Sequence, residues 1–434
     1  MKGGLKQMKT IGIVVEYNPF HNGHFYQIEK ARQLTGADAI VVIMSGDFVQ
    51  RGTPAIIDKY ARTKMALEHG VDLVIELPVL YATASAEYFA KGAIQILDGL
   101  KIIDTLVFGS ECGDISLLTE ISQILVNEPE VFREKLKEYL KTGETFPAAR
   151  KLALHDYLSA HHDDAAFLEK ADEVLDHPNN ILGIEYIKAL LTIKSTITPF
   201  TIKREGAGYH DTDHTRKFSS ATSLRKFFHN IPLTDTAASK LITESLADQL
   251  PNASLRILTS EYQRTFPVDA NDFSSLLYYR LSQETKETLT AYADVTEDLA
   301  NRIMQLIRPG ITYHAFAEEL KSRQYTLTRI SRSLLHILLG IRQEDLNAFL
   351  SDPDSRYARI LGFKKSSSHL LKSSKQKEGI PTILKTADAS KLLSASALSL
   401  FIHDIRAAHL YNQVVFTTHH TLLKDEYTHG PVIF

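Results

Sequence analysis

The chain holds a single cysteine, Cys112, among 434 residues. That excludes an intrachain disulfide and any zinc site built on paired cysteines. It has no run of about 18 apolar residues, so no membrane-spanning helix is expected. A GxxxxGK[ST] loop is missing, and no GxGxxG follows the first apolar run, which removes two common glycine-rich phosphate cradles. Excess charge is missing too: the net charge is −3, which argues against indiscriminate coating of nucleic acid. The basic opening MKGGLKQMK leads into an apolar strand, not into a signal-peptide core with a cleavage site. A soluble protein of a reducing, cytoplasmic setting is the expectation. At 44% hydrophobic and 23% charged residues the chain is globular in composition, with length for two or three domains.

The most informative stretch that is present is IGIVVEYNPFHNGH, residues 11–24. Ile11, Ile13, Val14 and Val15 suit a buried parallel strand. Tyr17-Asn18-Pro19-Phe20 ends it, because proline has no N–H for a ladder and asparagine tolerates turn geometry. From Phe25 the apolar positions (Phe25, Ile28, Ala31, then Leu34) take helical spacing up to Gly36. His21 and His24 therefore stand at a helix N-terminus just past the carboxyl end of the first strand. Open α/β sheets bind nucleotides there, and unpaired helix N–H groups attract phosphate. Gly23 is expected to let a phosphate approach the backbone. The pattern points to a nucleoside triphosphate.

Beyond it, strands at 39–44, 73–77 and 105–108 alternate with helices at 59–68 and 85–97. This rhythm predicts a parallel sheet with helices on both faces and right-handed crossovers. Residues 115–192 read as mainly helical. A strand at 197–203 leads to a glycine-bearing loop, Arg204 to Asp211, and then to SSATSLRK, residues 219–226, a capped helix start with two cations. Residues 231–270 are transitional. Helices are expected near 273–282, 295–305, 313–322 and 328–339, and a mobile Ser/Lys-rich loop at 364–377. The division is 1–235, 236–345 (mainly helical) and 346–434 (mixed α/β). Between residues 302 and 377 fourteen Lys and Arg face six Asp and Glu, a local basic excess that suits an RNA backbone.

Attack on the α-phosphorus of ATP expels pyrophosphate and spreads charge over non-bridging oxygens, so catalysis is mostly positioning and electrostatics. His21 and His24 are candidate donors to those oxygens. Arg204, Arg225 and Lys226 are candidate cations for the pyrophosphate, with hydroxyls from Ser219, Ser220 and Thr222. The catalytic set is His21, His24 and Arg225. Magnesium (Mg2+) is expected to ride in on the phosphates, since no carboxylate cage is evident. The pairs His161-His162 and His419-His420 are read as non-metal, and Cys112 as a packing residue. From these residues alone, a small-molecule adenylyltransferase and an ATP-sensing RNA-binding module both stay open.

HNGH and SSATSLR resemble the HxGH and [ST]-x-x-x-x-R signatures of the nucleotidyltransferase superfamily. The longer blocks VVEYNPFHNGH, MSGDFVQRGTPAIIDKYART, DLVIELP, FGSE, PNNILGIEY, IKREGAGYHD and SATSLR resemble the tRNA(Met) cytidine acetate ligase family through residues 10–230. The resemblance implies a Rossmann-like nucleotidyltransferase domain, followed by the helical module and the small α/β C-terminal region. It implies that ATP and acetate form acetyl-adenylate, and that the acetyl group passes to N4 of the wobble cytidine of elongator tRNA(Met). Carried over, ATP contacts fall on Val14, Val15, Glu16, Tyr17, Asn18, Pro19, Phe20, His21, Asn22, Gly23, His24, Phe25, Tyr26 and Gln27. Gly109, Arg204, Ser220 and either Asn179 or Asn180 complete the set. Asp47, Gln50 and Arg51, on the loop after the second strand, are candidates for holding acetate or the cytosine. Arg329 and Arg332 are candidates for the RNA backbone, and Tyr325 or Tyr357 for stacking on a splayed base.

Overall fold

The computed structural model describes residues 8–204, 220–231 and 237–434. Among them the strands are β1 (Thr10–Val15), β2 (Ala39–Ser45), β3 (Phe48–Val49), β4 (Thr53–Pro54), β5 (Leu73–Leu77), β6 (Thr105–Ser110), β7 (Thr198–Lys203), β8 (Ala358–Phe363), β9 (Thr382–Ile383) and β10 (Val432–Ile433). Eight form one sheet in the order β10-β8-β5-β2-β1-β6-β7, with β9 also on β8; β3 and β4 make a separate hairpin. Only the β5–β8 pair within that sheet is antiparallel. The chain builds outward from β1 to β2 and β5, then crosses to β6 and β7 on the other side. The crevice beyond β1 and β6 is thus the topological switch point.

The central strands are apolar at nearly every position because both faces are covered. Val41 and Ile43 of β2 enter one core, while Ile40, Val42 and Met44 enter the other with Ile11 and Ile13 of β1. Helices α1 (Asn22–Thr35) and α2 (Lys59–Glu68) line that second core. The helical stretch expected at 115–192 is a run of five helices from Ile115 to Thr192, inserted between β6 and β7.

The four helices expected in the middle region are Ser274–Ser282, Glu297–Leu306, Tyr313–Leu320 and Leu327–Leu339. Thr296, Thr312 and Thr326 cap the last three, each hydroxyl accepting the N–H three residues on. Leu281, Ile303, Phe316 and Leu334 give this module its own core. Residues 346–434 hold both helices and strands, and the strands extend the edge of the first sheet: β8 pairs with β5, and β9 and β10 pair with β8. The Ser/Lys-rich stretch is not a loop. It forms the His369–Gln376 helix, which buries Leu370 and Ser374, four apart on one face.

Below the carboxyl ends of the central strands sits a fully buried guanidinium. Arg62 of α2 donates from Nε to the Ile57 carbonyl (3.0 Å) and from Nη1 to those of Glu16 (2.8 Å) and Ser45 (2.9 Å). Its Nη2 donates to the Gly46 carbonyl. Beside it, Lys59 lies 2.9 Å from Glu76, 3.2 Å from Glu426 and 3.7 Å from Asp47, and Arg359 pairs with Glu76 and Glu426. Replacing Arg62 with Met strands these carbonyls and unbalances the buried carboxylates. We expect a loss of about 3–5 kcal/mol, checked by urea unfolding followed by circular dichroism.

Candidate nucleotide-binding site

The turn after β1 is set by its own backbone. Tyr17 takes a left-handed φ of 50°, and the Asn18–Pro19 bond is cis. The Asn18 side-chain oxygen accepts the Ile56 N–H at 2.8 Å, and its carbonyl accepts Arg225 Nη1 at 2.8 Å. Tyr17 and Phe20 pack edge-on at 4.7 Å between ring centres, and Tyr17 also meets His24 edge-on.

The two histidines close the start of α1 as a capping box. His21 Nδ1 accepts the Gly23 N–H at 3.0 Å, and His24 Nδ1 accepts the His21 N–H at 3.3 Å. The rings stack with centres 3.8 Å apart. A neutral imidazole whose Nδ1 accepts must carry its proton on Nε2. Both Nε2–H groups are thereby left as donors. Burial, with Arg204 and Arg225 adding, pushes His21 down to about 3. Burial, then His21 and Arg204, hold His24 well below the usual imidazole range. The pair is neutral at physiological pH.

Gly23 also has a reason within the protein. A Cβ there would stand 2.9 Å from His21 Cε1, so glycine makes room for the imidazole that caps the helix. Val14 and Val15 end β1, Glu16 to Phe20 make the turn, and Asn22 to Gln27 fill the first turns of α1.

Across the crevice, Gly109 near the end of β6 lies under Arg204, and a Cβ there would approach the arginine Cγ to 3.2 Å. Glu111 accepts the Asn179 side-chain N–H at 2.6 Å and the Asn180 backbone N–H at 2.9 Å, fastening the start of the Pro178–Thr192 helix. Asn180 is buried, and its side-chain oxygen accepts the N–H groups of Glu111 and Cys112. The Asn180 side-chain oxygen is therefore spent on the turn, while Asn179 is half-buried and gives its side-chain N–H to Glu111. Glu111, within FGSE, has no chemical signature of its own in the sequence; a carboxylate one residue past a central strand is the available signal.

Ser220 caps the Ala221–Asn230 helix by accepting the Ser223 N–H at 3.1 Å. Arg225 also donates to the Thr222 hydroxyl at 3.1 Å, and Lys226 is exposed. The loop 205–211 and Ser219 lie outside the described residues. Asp47 is buried, accepts the Lys59 N–H and joins the charge cluster of α2, which opposes a role in holding substrate. Tyr325 and Tyr357 cannot stack on a base: they are 5% and 1% exposed, and their hydroxyls bond Thr296 and Asp404. Arg332 is tied to Asp294 at 3.0 Å, whereas Arg329 lies over the Tyr325 ring. Among the described residues no set of three His, Cys, Asp or Glu side chains is placed to hold a metal, and no helix is long and apolar enough to cross a membrane.

A capping pair of neutral imidazoles at the switch point of a parallel sheet defines a HIGH-type nucleotidyltransferase. The chain matches the HIGH Nucleotidyl Transferase family over residues 8–426. It belongs, within that class, to the tRNA(Met) cytidine acetate ligase family. The relative of that name in Acetivibrio thermocellus is 44% identical over 385 residues, 88% of this chain and 90% of that one. The one in Clostridium perfringens is 39% identical over 430 residues, 98% of this chain and 100% of that one. The crystal structure of Thermotoga maritima TmcAL bound with alpha-thio ATP superposes with a TM-score of 0.88 at 33% identity, covering 98% of this chain and 99% of that one.

The depressed imidazoles carry a pH consequence. Between about 6.5 and about 3 the unfolded chain binds protons at His21 that the folded chain does not, so folding stability falls as pH drops through that range. Acetate-dependent ATP–pyrophosphate exchange should show no acid limb near 6.5. An activity profile with a single ionisation there, abolished in His21→Asn, is the result that contradicts neutral donors.

Proposed function

We propose that the chain activates acetate with ATP to acetyl-adenylate, releasing pyrophosphate, and transfers the acetyl group to N4 of the wobble cytidine of elongator tRNA(Met). One observation carries the adenylation half: two stacked imidazoles whose Nδ1 atoms are occupied by helix capping, so that both Nε2–H donors are available beside Arg204. Acetate arrives already ionised at neutral pH and needs no general base. His21 and His24 act as preset donors to the charge that develops at the α-phosphate.

Arg225, bonded to the Asn18 carbonyl, positions the turn, and Asn179 with Gly109 and Arg204 closes the ATP side of the crevice. Of the nearby carboxylates, Glu111 is engaged by Asn179 and Asn180, and Glu16 by Gln50. Magnesium is therefore taken to enter on the ATP phosphates. Acetate and the tRNA acceptor rest on the family's name and on the basic middle region. An enzyme acting on tRNA would work in the cytoplasm.

ATP–pyrophosphate exchange tests the first half. It should depend on acetate and proceed without tRNA. Double replacement of His21 and His24 by Ala should depress it by about 10²-fold or more; wild-type turnover at saturating ATP would remove the histidines from the site.

For the RNA half, Arg323 is exposed and Arg329 half-exposed, while Arg332 is committed to Asp294. Arg323→Ala with Arg329→Ala should weaken tRNA binding and reduce its salt slope by about 2. Exchange should fall much less. Filter binding at several salt concentrations measures the slope, and an unchanged slope places the RNA surface elsewhere.

A further inference from the structure

The β3–β4 hairpin touches both the nucleotide turn and the helical module. At its tip the Gln50 N–H donates to Glu16 Oε1 at 3.0 Å, and Glu16 leads directly into the turn. Two residues on, Gly52 takes a φ of 75° against the Leu327–Leu339 helix, where a Cβ would stand 2.3 Å from the Arg332 backbone nitrogen. The Tyr313 hydroxyl lies 2.8 Å from the Ser331 carbonyl and 3.3 Å from that of Gly52. At the base, Phe48 is buried edge-on to Phe273 and Tyr411, with ring centres 5.6 and 6.0 Å away. The hairpin is held at its base, at its tip and along one side.

Gln50 is half-buried on that tip. Its backbone N–H is engaged, but its carboxamide has no hydrogen-bond partner among the described residues. A carboxamide offers one acceptor beside one pair of donors. Held on a fixed hairpin, it loses little freedom when it binds.

The geometry points to Gln50 as the residue that holds the acceptor base. Its Oε1 accepts from the exocyclic amino group of a cytosine, and its Nε2–H donates to the neighbouring ring nitrogen N3. This two-point contact holds the amino group beside Glu16, next to the turn that carries the histidines. The assignment rests on the acetyl-transfer reading above. The hairpin is thus the part that brings base and adenylate together, since the same tip touches Glu16 through Gln50 and packs through Gly52 on the helix that carries Arg329.

The test is a cycle between protein and RNA. Wild type and Gln50→Ala are compared on an anticodon stem-loop carrying either cytidine or 3-deazacytidine at the acceptor position, which replaces N3 by C–H. Acetyl transfer is read in single turnover, with ATP–pyrophosphate exchange measured alongside. Gln50→Ala should lower transfer to cytidine about tenfold more than it lowers exchange, as expected for a lost base contact. The 3-deaza substitution should cost wild type a further several-fold and cost Gln50→Ala nothing beyond the intrinsic reactivity change seen with free nucleoside.

Equal losses from the analogue in both proteins, or transfer and exchange falling together, overturn the assignment. If wild type makes no N4-acetylcytidine at all, the acetyl-transfer reading falls and this assignment with it. If wild type makes it and Gln50→Ala makes it equally fast, only the assignment falls.

Discussion

One buried guanidinium gathers what the rest of the site stands on. Arg62 donates to the carbonyls of Glu16, just past β1, and of Ser45 and Gly46, at and just past the end of β2. A side chain with five donors in a fixed fork can satisfy several such carbonyls at once; a lysine cannot. Its charge, with those of Lys59 and Arg359, faces Asp47, Glu76 and Glu426. Buried ion pairs of this kind contribute little net stability over apolar packing. What they supply here is register: the end of β1 has one permitted position relative to the loop after β2, and the turn with the histidines starts from it.

The neutrality of the two imidazoles follows from the same economy of space. Each Nδ1 serves the helix, which leaves each Nε2–H as a donor, so one ring can hold the backbone and still offer a proton through different atoms. Protonating either ring would remove a cap acceptor and place a cation beside Arg204 and, for His21, Arg225 as well. The site therefore resists the charge state that an isolated histidine would readily take.

Much of this was legible in the residues. The strands at 39–44 and 73–77, the helix at 59–68 and the four helices of the middle region emerge from period and caps, because buried parallel strands and Thr-capped helices have local signatures. The i, i+3 spacing of His21 and His24 is visible as well and suggests phosphate contact, but not the capping; a capping box made of imidazoles lies outside the usual Ser/Thr and Glu vocabulary. The room that Gly23 leaves for the capping imidazole is hidden for the same reason. Tyr325 and Tyr357 could not be judged from spacing, since a tyrosine is core or surface according to a distant partner, here Thr296 and Asp404. Nor does a sequence announce that β8 pairs with β5, because strand pairing across so long an interval leaves no local trace.

That last pairing has a consequence for how the protein is made. β5 is complete at Leu77, yet the strand that covers its edge begins at Ala358. At ordinary synthesis rates of about 5–20 residues per second, the nascent sheet waits on the order of 15–55 s with an apolar strand edge unsatisfied. An open edge of that composition is a template for foreign strands. Newly made chains are thus most exposed to misassembly before their last fifth has left the ribosome. Slow translation or a truncated message would be harsher on this protein than its finished, edge-covered sheet suggests.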